Sequence, residues 1–398
     1  MKVLVVGAGV AGLTTAIALR RRGVEVEVFD ADPKARTSGG GLGIASNATK
    51  VLRALDVDLV AAGVGRVCER FDLCTPTGRP LRELPLRSIA EELGSPVVNV
   101  RRNDLVTLLR DSLAGTPIHH GAAVTRYDHV DGGVSVTCAD GRSATGDVLV
   151  GADGIRSVVR ARIAGPQQLT EHGYVCWIAT VPFDHPRLRP GGARHYWGRG
   201  QRFGLIDVGG GHAYWWGTRN VRPDDVRLRQ GSKEEILRCF AGWADEVRQA
   251  VSLTPQADIV SVPAQDRPFL ESWGDGPTTL VGDAAHPMLT SLSQGAGSAI
   301  EDGHALAHHL TVGDDIVTSL RRYERSRRER TRWLVSASRR LSRMEQIEHP
   351  VAVGLRDLAL RWLPMSVVRR QNLAPMRYEL PATPAPVTRT QHGTGGVS

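Results

Sequence analysis

Apolar and polar positions switch between two periods along this chain, and each switch marks an element. Val3-Leu4-Val5-Val6 is a short β-branched run, the length of a buried strand. It leads through Gly7-Ala8-Gly9-Val10-Ala11-Gly12 into an apolar stretch that stops at Arg20-Arg21-Arg22-Gly23, a basic last turn followed by glycine. A second β-branched run, Val24 to Phe29, ends on Asp30. The pattern predicts strand, turn, helix, strand. At the turn Gly7 allows the tight bend, Gly9 lets backbone approach a pyrophosphate, and Gly12 lets the helix pack on the strand. The helix N-terminus then offers unpaired N–H groups to phosphates, and Asp30 stands where ribose hydroxyls are held.

Further on, Ser38 to Gly43 is glycine-rich, a loop whose backbone can pass close to a ligand. Ser46 or Asn47 is expected to cap a helix carrying Val51, Leu52 and Leu55. Residues 64 to 98 lose helical periodicity and read as strands and loops of a different layer. Asn103 caps a helix with Leu105, Leu108, Leu109 and Leu113 inward. Turns at Asp131-Gly132-Gly133 and Asp140-Gly141 flank the alternating Val134, Val136 and Cys138, a β-meander. Val148-Leu149-Val150 leads into Gly151-Ala152-Asp153-Gly154 and a helix from about Ile155 to Ile163. Residues 171 to 265 hold most of the tryptophans and several alternating runs, a second β-rich region continuous with 64 to 98. A third strand and turn, Thr279 to Asp283, precedes Ala284-Ala285-His286-Pro287 and a helix from about Gln294 to Leu310. Basic helices follow to about Asn372, and the tail from Leu380 has too little to bury to order itself. Asp30, Asp153 and Asp283 each close a strand of one expected parallel sheet, beyond whose carboxyl ends ligands lie.

With 398 residues, two intertwined domains are the natural expectation. No stretch reaches the length of a membrane span, and the chain enters a strand with no apolar leader, so the expected setting is cytoplasmic. The five cysteines are scattered without a C-x-x-C pair and read as reduced thiols. The net charge of +8 comes almost wholly from arginine. The dense basic stretch Arg321 to Arg343 lacks a recognition motif and reads as a solvated helix face, so no nucleic-acid partner is expected. Glu301-x-x-His304 with His308 has the spacing of carboxylate-bridged iron ligands but no second such motif, so no metal site is expected.

Three of these stretches together resemble the class A flavoprotein monooxygenases, the group that includes para-hydroxybenzoate, salicylate and urate hydroxylases. They are Gly7 to Gly12 with Asp30, Gly151-Ala152-Asp153-Gly154-Ile155-Arg156-Ser157-Val158-Val159-Arg160, and Gly282-Asp283-Ala284-Ala285-His286-Pro287. The resemblance covers roughly residues 1 to 340. It implies an α/β fold: a Rossmann-like FAD-binding domain with parallel sheet and β-meander (1–66, 99–170 and 266–345), and an interleaved β-sheet substrate domain (67–98 and 171–265). C-terminal helices (346–379) and a disordered tail (380–398) complete it. It implies non-covalent FAD, with Gly7, Gly9, Gly12, Asp30, Gly43, Arg102, Val124, Asp153, Asp283, Pro287, Gly295, Ala296 and Gly297 on the cofactor side. Arg102 falls near the pyrophosphate, Val124 at the adenine edge, Asp283 on the ribityl chain, and 295–297 beside the isoalloxazine. Thr290 and Ser293 stand where the family commonly has proline and glycine, and Asp30 replaces the more usual glutamate.

The implied activity is hydroxylation or epoxidation of an aromatic or other electron-rich small molecule, consuming NADH or NADPH and O₂ through a flavin hydroperoxide, by a monomer or homodimer. An oxidase or dehydrogenase without oxygen insertion is the alternative on the same fold. Phe203 to Val208 and Ala213 to Thr218 flank Gly209-Gly210-Gly211. If all three glycines form the loop, Val208 pairs with His212, and Arg202 and Tyr214 share a face. A two-residue loop would separate them. An arginine and a tyrosine at this spacing resemble the substrate-side pair of urate-hydroxylase-type relatives, with Arg202 anchoring an anionic or carbonyl group and Tyr214 orienting or deprotonating the substrate.

Overall fold

The computed structural model describes residues 1–33, 40–222, 224–313 and 315–381. The first apolar run is the central strand Lys2–Val6 of a five-stranded parallel sheet. Its neighbours run in the order Thr278–Leu280, Val148–Gly151, Lys2–Val6, Glu25–Phe29 and Ile118–His119. Asp30, Asp153 and Asp283 therefore emerge from the same end of the sheet, each just beyond its strand. The meander forms as expected from Val124–Val130, Gly133–Cys138 and Ser143–Gly146. Helix Val10–Arg20 is buried along almost its whole length between this sheet and helix Gly295–Val312. The two helices approach so closely that a Cβ on Gly303 would lie 2.8 Å from the Thr15 backbone nitrogen.

The second layer is a seven-stranded sheet, in the order Val260–Asp266, Thr170–Pro182, His212–Asn220, Gln201–Gly209, Gly192–Trp197, Arg70–Cys74 and Pro80–Leu84. One face carries Trp177, Phe203, Leu205 and Trp215 into a core closed by Ile236, Phe240 and Val247. Those three lie on or beside helices Lys233–Cys239 and Asp245–Leu253, within the region expected to be β-rich. A helix at Leu86–Leu93 likewise interrupts the stretch expected to hold only strands and loops. It buries only Leu86 and Ile89, too few positions for a helical period to be visible.

Two helix starts differ from expectation. Ala45 and Arg101 are the capping positions, so Asn47 and Asn103 lie inside the first turns. Asn47 has another use: its amide donates to Glu301 at 2.6 Å and Gln294 at 2.9 Å, tying its helix to Gly295–Val312. The long helix Ile316–Glu345 is not a simple solvated basic face. Arg327, Arg330 and Arg339 pair with Glu301 and Asp302, Glu301, and Asp266 respectively, fastening the helix to the body. Glu301, the carboxylate of the iron-like spacing, is thus engaged by two guanidinium groups.

Pro364 ends one C-terminal helix, Pro350–Trp362, and opens the next, Met365–Met376. Arg356 anchors the first: it is buried, lies 5.4 Å from the Trp197 ring centre and donates to Gly198 O. The opposite face does not pack back on the body, since Leu355, Leu358 and Trp362 are 62%, 53% and 79% exposed. No described helix is long and apolar enough to cross a membrane. Nearly all of the tail expected to be disordered lies outside the described residues.

Candidate active site

The glycines of the first turn serve three different needs. Gly7 has φ +106°, and a Cβ there would sit 2.5 Å from the Ala152 carbonyl oxygen. A Cβ on Gly12 would lie 1.8 Å from Gly7 O, so helix and strand meet only through glycine. Around Gly9 no atom lies within 4 Å of such a Cβ, which leaves an open cradle before the helix. Helix Val10–Arg20 starts with no side-chain cap, so its first N–H groups face that space. Asp30 borders it. Its two oxygens accept from Ala8 N at 2.5 Å and Asp32 N at 2.8 Å, bracing the turn while keeping lone pairs for hydroxyl donors. Ala122 N donates to Asp30 O, which puts the start of the meander beside this end. The Val124 side chain itself is buried in the core.

Ser157 caps the following helix, while Asp153 accepts from Val158 N at 2.7 Å and has its other oxygen buried without a partner among the described residues. Arg160, the last residue of that motif, is buried and donates to Ala284 O, Ala285 O, Pro268 O and Gln167 Oε1. One guanidinium thus fixes the backbone that carries Asp283. Asp302 holds the same turn from below. It accepts from Gly282 N at 2.9 Å, His286 Nε2 at 2.6 Å and Arg327 Nε at 2.7 Å.

Asp283 itself is exposed and makes no hydrogen bond to the described protein atoms. It lies across from Gly295, whose Cβ position is 4.0 Å from Asp283 Oδ1. Arg102 is near enough for its charge to act on this carboxylate. Pro287 is buried, and Gly295–Gly297 opens helix Gly295–Val312 without a side-chain cap. A Cβ on Gly297 would press on Asn47 and Gln294, both at 3.2 Å. Gly43 has ordinary room, 3.6 Å from Asn99 Oδ1; in its loop it is Gly40 and Gly41 that must be glycine, because the Tyr214 ring lies 2.6 Å from where their Cβ atoms would be. Ser38 and Gly39 lie outside the described residues.

An uncapped helix behind an open glycine cradle, an acid at the ribose end and an unengaged acid at the far end suit a long dinucleotide such as FAD. Asp283→Ala is expected to weaken FAD binding about tenfold or more, through lost hydroxyl hydrogen bonds. The melting temperature of the flavin-free chain should stay put, because Asp283 holds no protein group. Flavin titration of the deflavinated variant tests this; unchanged affinity with a lower melting point would mean that the acid serves only its loop.

Ser293 sits at φ +51°, the left-handed position for which glycine is suited. Ser293→Gly is expected to raise stability by about 0.5–1 kcal/mol, removing a left-handed penalty of about 1–2 kcal/mol against the chain entropy of glycine. A fall in denaturation midpoint would show that the serine hydroxyl matters more than the backbone.

The substrate-side hairpin takes the two-residue loop, yet without the separation of Arg202 from Tyr214 expected of it. Its loop is the two residues Gly210-Gly211, and Gly209, not Val208, pairs with His212. A bulge at Val208 absorbs the missing loop residue, so Arg202 still pairs with Thr218 and Ile206 with Tyr214. Asp207 steadies the bulge by accepting from Gly209 N and Gly191 N, each at 2.8 Å. Arg202 and Tyr214 consequently share one sheet face, which meets Gly40 and Gly41 through Tyr214 and Ser291 through Arg202. Arg202 is buried, with Nη1 bonded to Glu345 and, at 3.3 Å, to Ser291 Oγ; the Tyr174 ring lies 5.9 Å away. Burial pushes the Tyr214 phenol well up, and neighbouring Cys176 adds to this while Arg202 opposes it. Asp302, Arg160 and Glu345 were not singled out from sequence. An acidic pair inside the apolar helix 295–312 and the arginine closing the second motif were the visible signals.

Comparison with known proteins matches residues 1–338 to the family described as FAD binding domain. An aurachin C monooxygenase/isomerase of Stigmatella aurantiaca is 32% identical over 363 residues, 91% of this chain and 94% of that protein. Chloroplastic zeaxanthin epoxidase of Nicotiana plumbaginifolia is 35% identical over 83% of this chain, which spans only 53% of that longer protein. Among solved structures, Klebsiella pneumoniae HpxO complexed with FAD and uric acid aligns over 94% of this chain and 96% of its own, with TM-score 0.87 and 26% identity.

Proposed function

The chain belongs to the FAD-binding domain family and is a flavoprotein monooxygenase, and from that premise we propose that it hydroxylates or epoxidises a small aromatic or electron-rich molecule held against the seven-stranded sheet. Segments 1–66, 99–170 and 266–345 form the cofactor domain in this reading, and 67–98 with 171–265 the substrate domain. NADH or NADPH is the reductant and O₂ the source of the inserted oxygen. Bound FAD supplies the redox and oxygen chemistry; the protein supplies position, shielding and electrostatics. Gly7, Gly9, Gly12, Asp30, Arg102, Asp283 and Gly295–Gly297 would hold it.

The observation that supports the substrate-side reading is the bulge-preserved register, which keeps a buried arginine and a tyrosine on one sheet face. Arg202 anchors a polar group of the substrate. Tyr214, its phenol held protonated, orients by donating a hydrogen bond and does not take a proton. A cleft of about 710 Å³ opens beside Tyr174 and is lined by Arg219, Arg222, Arg339 and Arg343 among others. Its positive charge suits first capture of a polyanionic nicotinamide cosubstrate, although Asp225 and Glu348 temper it.

Arg202→Gln and Tyr214→Phe, each checked for full FAD content, test the reading. Product formed per NAD(P)H consumed is expected to fall about tenfold in Arg202→Gln and severalfold in Tyr214→Phe, the cost of one lost substrate hydrogen bond each. Parent-level coupling in both would remove these residues from the site.

A further inference from the structure

Around Gly204 the sheet face holds hydrogen-bond donors with no partner among the described residues. His195 pairs with Gly204, and Trp197 with Arg202, across adjacent strands. The His195 side is fixed by its neighbour: Trp197 Nε1 donates to His195 Nδ1 at 3.0 Å. An indole N–H only donates, so Nδ1 is the acceptor and the ring proton sits on Nε2. That Nε2–H is buried and unpartnered, on a residue only 6% exposed. Burial, with the charge of Arg202, also keeps this imidazole neutral. Arg202, 1% exposed, has Nε and Nη2 without partners.

The same face is apolar and close to electrically balanced. The Trp216 indole fills the space above Gly204, where a Cβ would lie 2.0 Å from the ring. Its centre is 5.3 Å from that of His195 and 5.6 Å from that of Tyr214. Trp216 and Tyr214 are only half-buried, so the face is open on their side. The charge of Arg202 is already matched by buried Glu345. Burial pushes the Glu345 carboxyl up and Arg202 pulls it back, while Glu345 in turn keeps the guanidinium charged against its own burial. A carboxylate entering here would be a second anion beside a cation already paired, left without compensation in a dry site. A carbonyl oxygen would accept from both unpaired donors and bring no net charge.

We propose that this face selects a flat, uncharged, carbonyl-bearing ring over an anionic one, with Glu345 setting the charge preference and His195 acting as a second donor beside Arg202. The proposal rests on the reading that the substrate meets Arg202 and Tyr214. The matched probes are 1-naphthamide and 1-naphthoate, equal in ring and differing in charge. Their dissociation constants are measured on the FAD-loaded enzyme from the change in flavin absorbance.

The amide is expected to bind about tenfold or more tightly than the carboxylate. Glu345→Gln, which leaves Arg202 uncompensated, should move the ratio at least tenfold toward the carboxylate. His195→Phe should weaken the amide about tenfold at full FAD content. Equal or tighter binding of the carboxylate by the parent, or binding of neither, overturns the proposal; so does an unchanged ratio in Glu345→Gln. The parent comparison decides alone if that variant fails to retain flavin. If Arg202→Gln leaves both constants at parent values, the fault lies in the placement of the substrate on this face, a different failure from a wrong charge preference.

Discussion

Asp302→Ala is expected to cost about 3–5 kcal/mol and to strip the protein of flavin, although the residue touches no cofactor. Three buried donors lose their acceptor at once: Gly282 N, His286 and Arg327. Arg327 keeps Glu301, but the turn presenting Asp283 loses its tether from below. Burial alone would push the Asp302 carboxyl up; His286 and Arg327 overcome it and hold the pKa at about 2. A folded value below the unfolded one, about 3.9, contributes stability that is fully present above that value and lost as pH falls through about 2. Denaturant unfolding between pH 2 and 5 should therefore show a steeper acid loss in the parent than in the variant. A variant with the parent's midpoint and full flavin content would mean the network is incidental.

Gly12→Ala is expected to lower FAD affinity by roughly a hundredfold, about 3 kcal/mol of forced displacement. The obstacle is backbone: the new Cβ would lie 1.8 Å from Gly7 O and 3.3 Å from the Ala152 methyl, so either the helix lifts or the turn opens. Gly9→Ala is the informative contrast. Nothing of the protein lies within 4 Å of a Cβ there, so the flavin-free chain should keep its stability while the methyl group occupies the cradle. Loss of flavin with loss of stability at residue 12, and loss of flavin alone at residue 9, is the expected pair of results. Equal affinities in both variants and the parent would remove the phosphate from this turn.

The turns and strand ends of the proposed cofactor half were legible because their logic is local. Glycines, an uncapped helix start and acids closing strands all fall within a few residues of one another. Asp30, Asp153 and Asp283 fall at one end of the sheet because parallel strands bring their carboxyl ends together. The substrate half is built from partners distant in the chain. Arg202 and Glu345 are separated by 143 residues, and no period or motif links them. The hairpin illustrates a different limit. Counting glycines gave the right face through the wrong loop, because a bulge can replace a loop residue without changing which side chains align. Short helices such as Leu86–Leu93 went unseen for want of apolar positions.

The order of strands in the parallel sheet also sets a timetable for synthesis. Lys2–Val6 lies at its centre, yet its outer neighbour but one, Thr278–Leu280, leaves the ribosome more than 270 residues later, and Asp302 later still. At about 5–20 residues per second, the glycine turn waits on the order of tens of seconds for the segment that completes its site. During that interval the nascent chain exposes a sheet edge where Thr278–Leu280 will pair. On the proposed site, flavin meets all of its contacts only after helix Gly295–Val312 has been made, so FAD would stabilise finished chains more than growing ones.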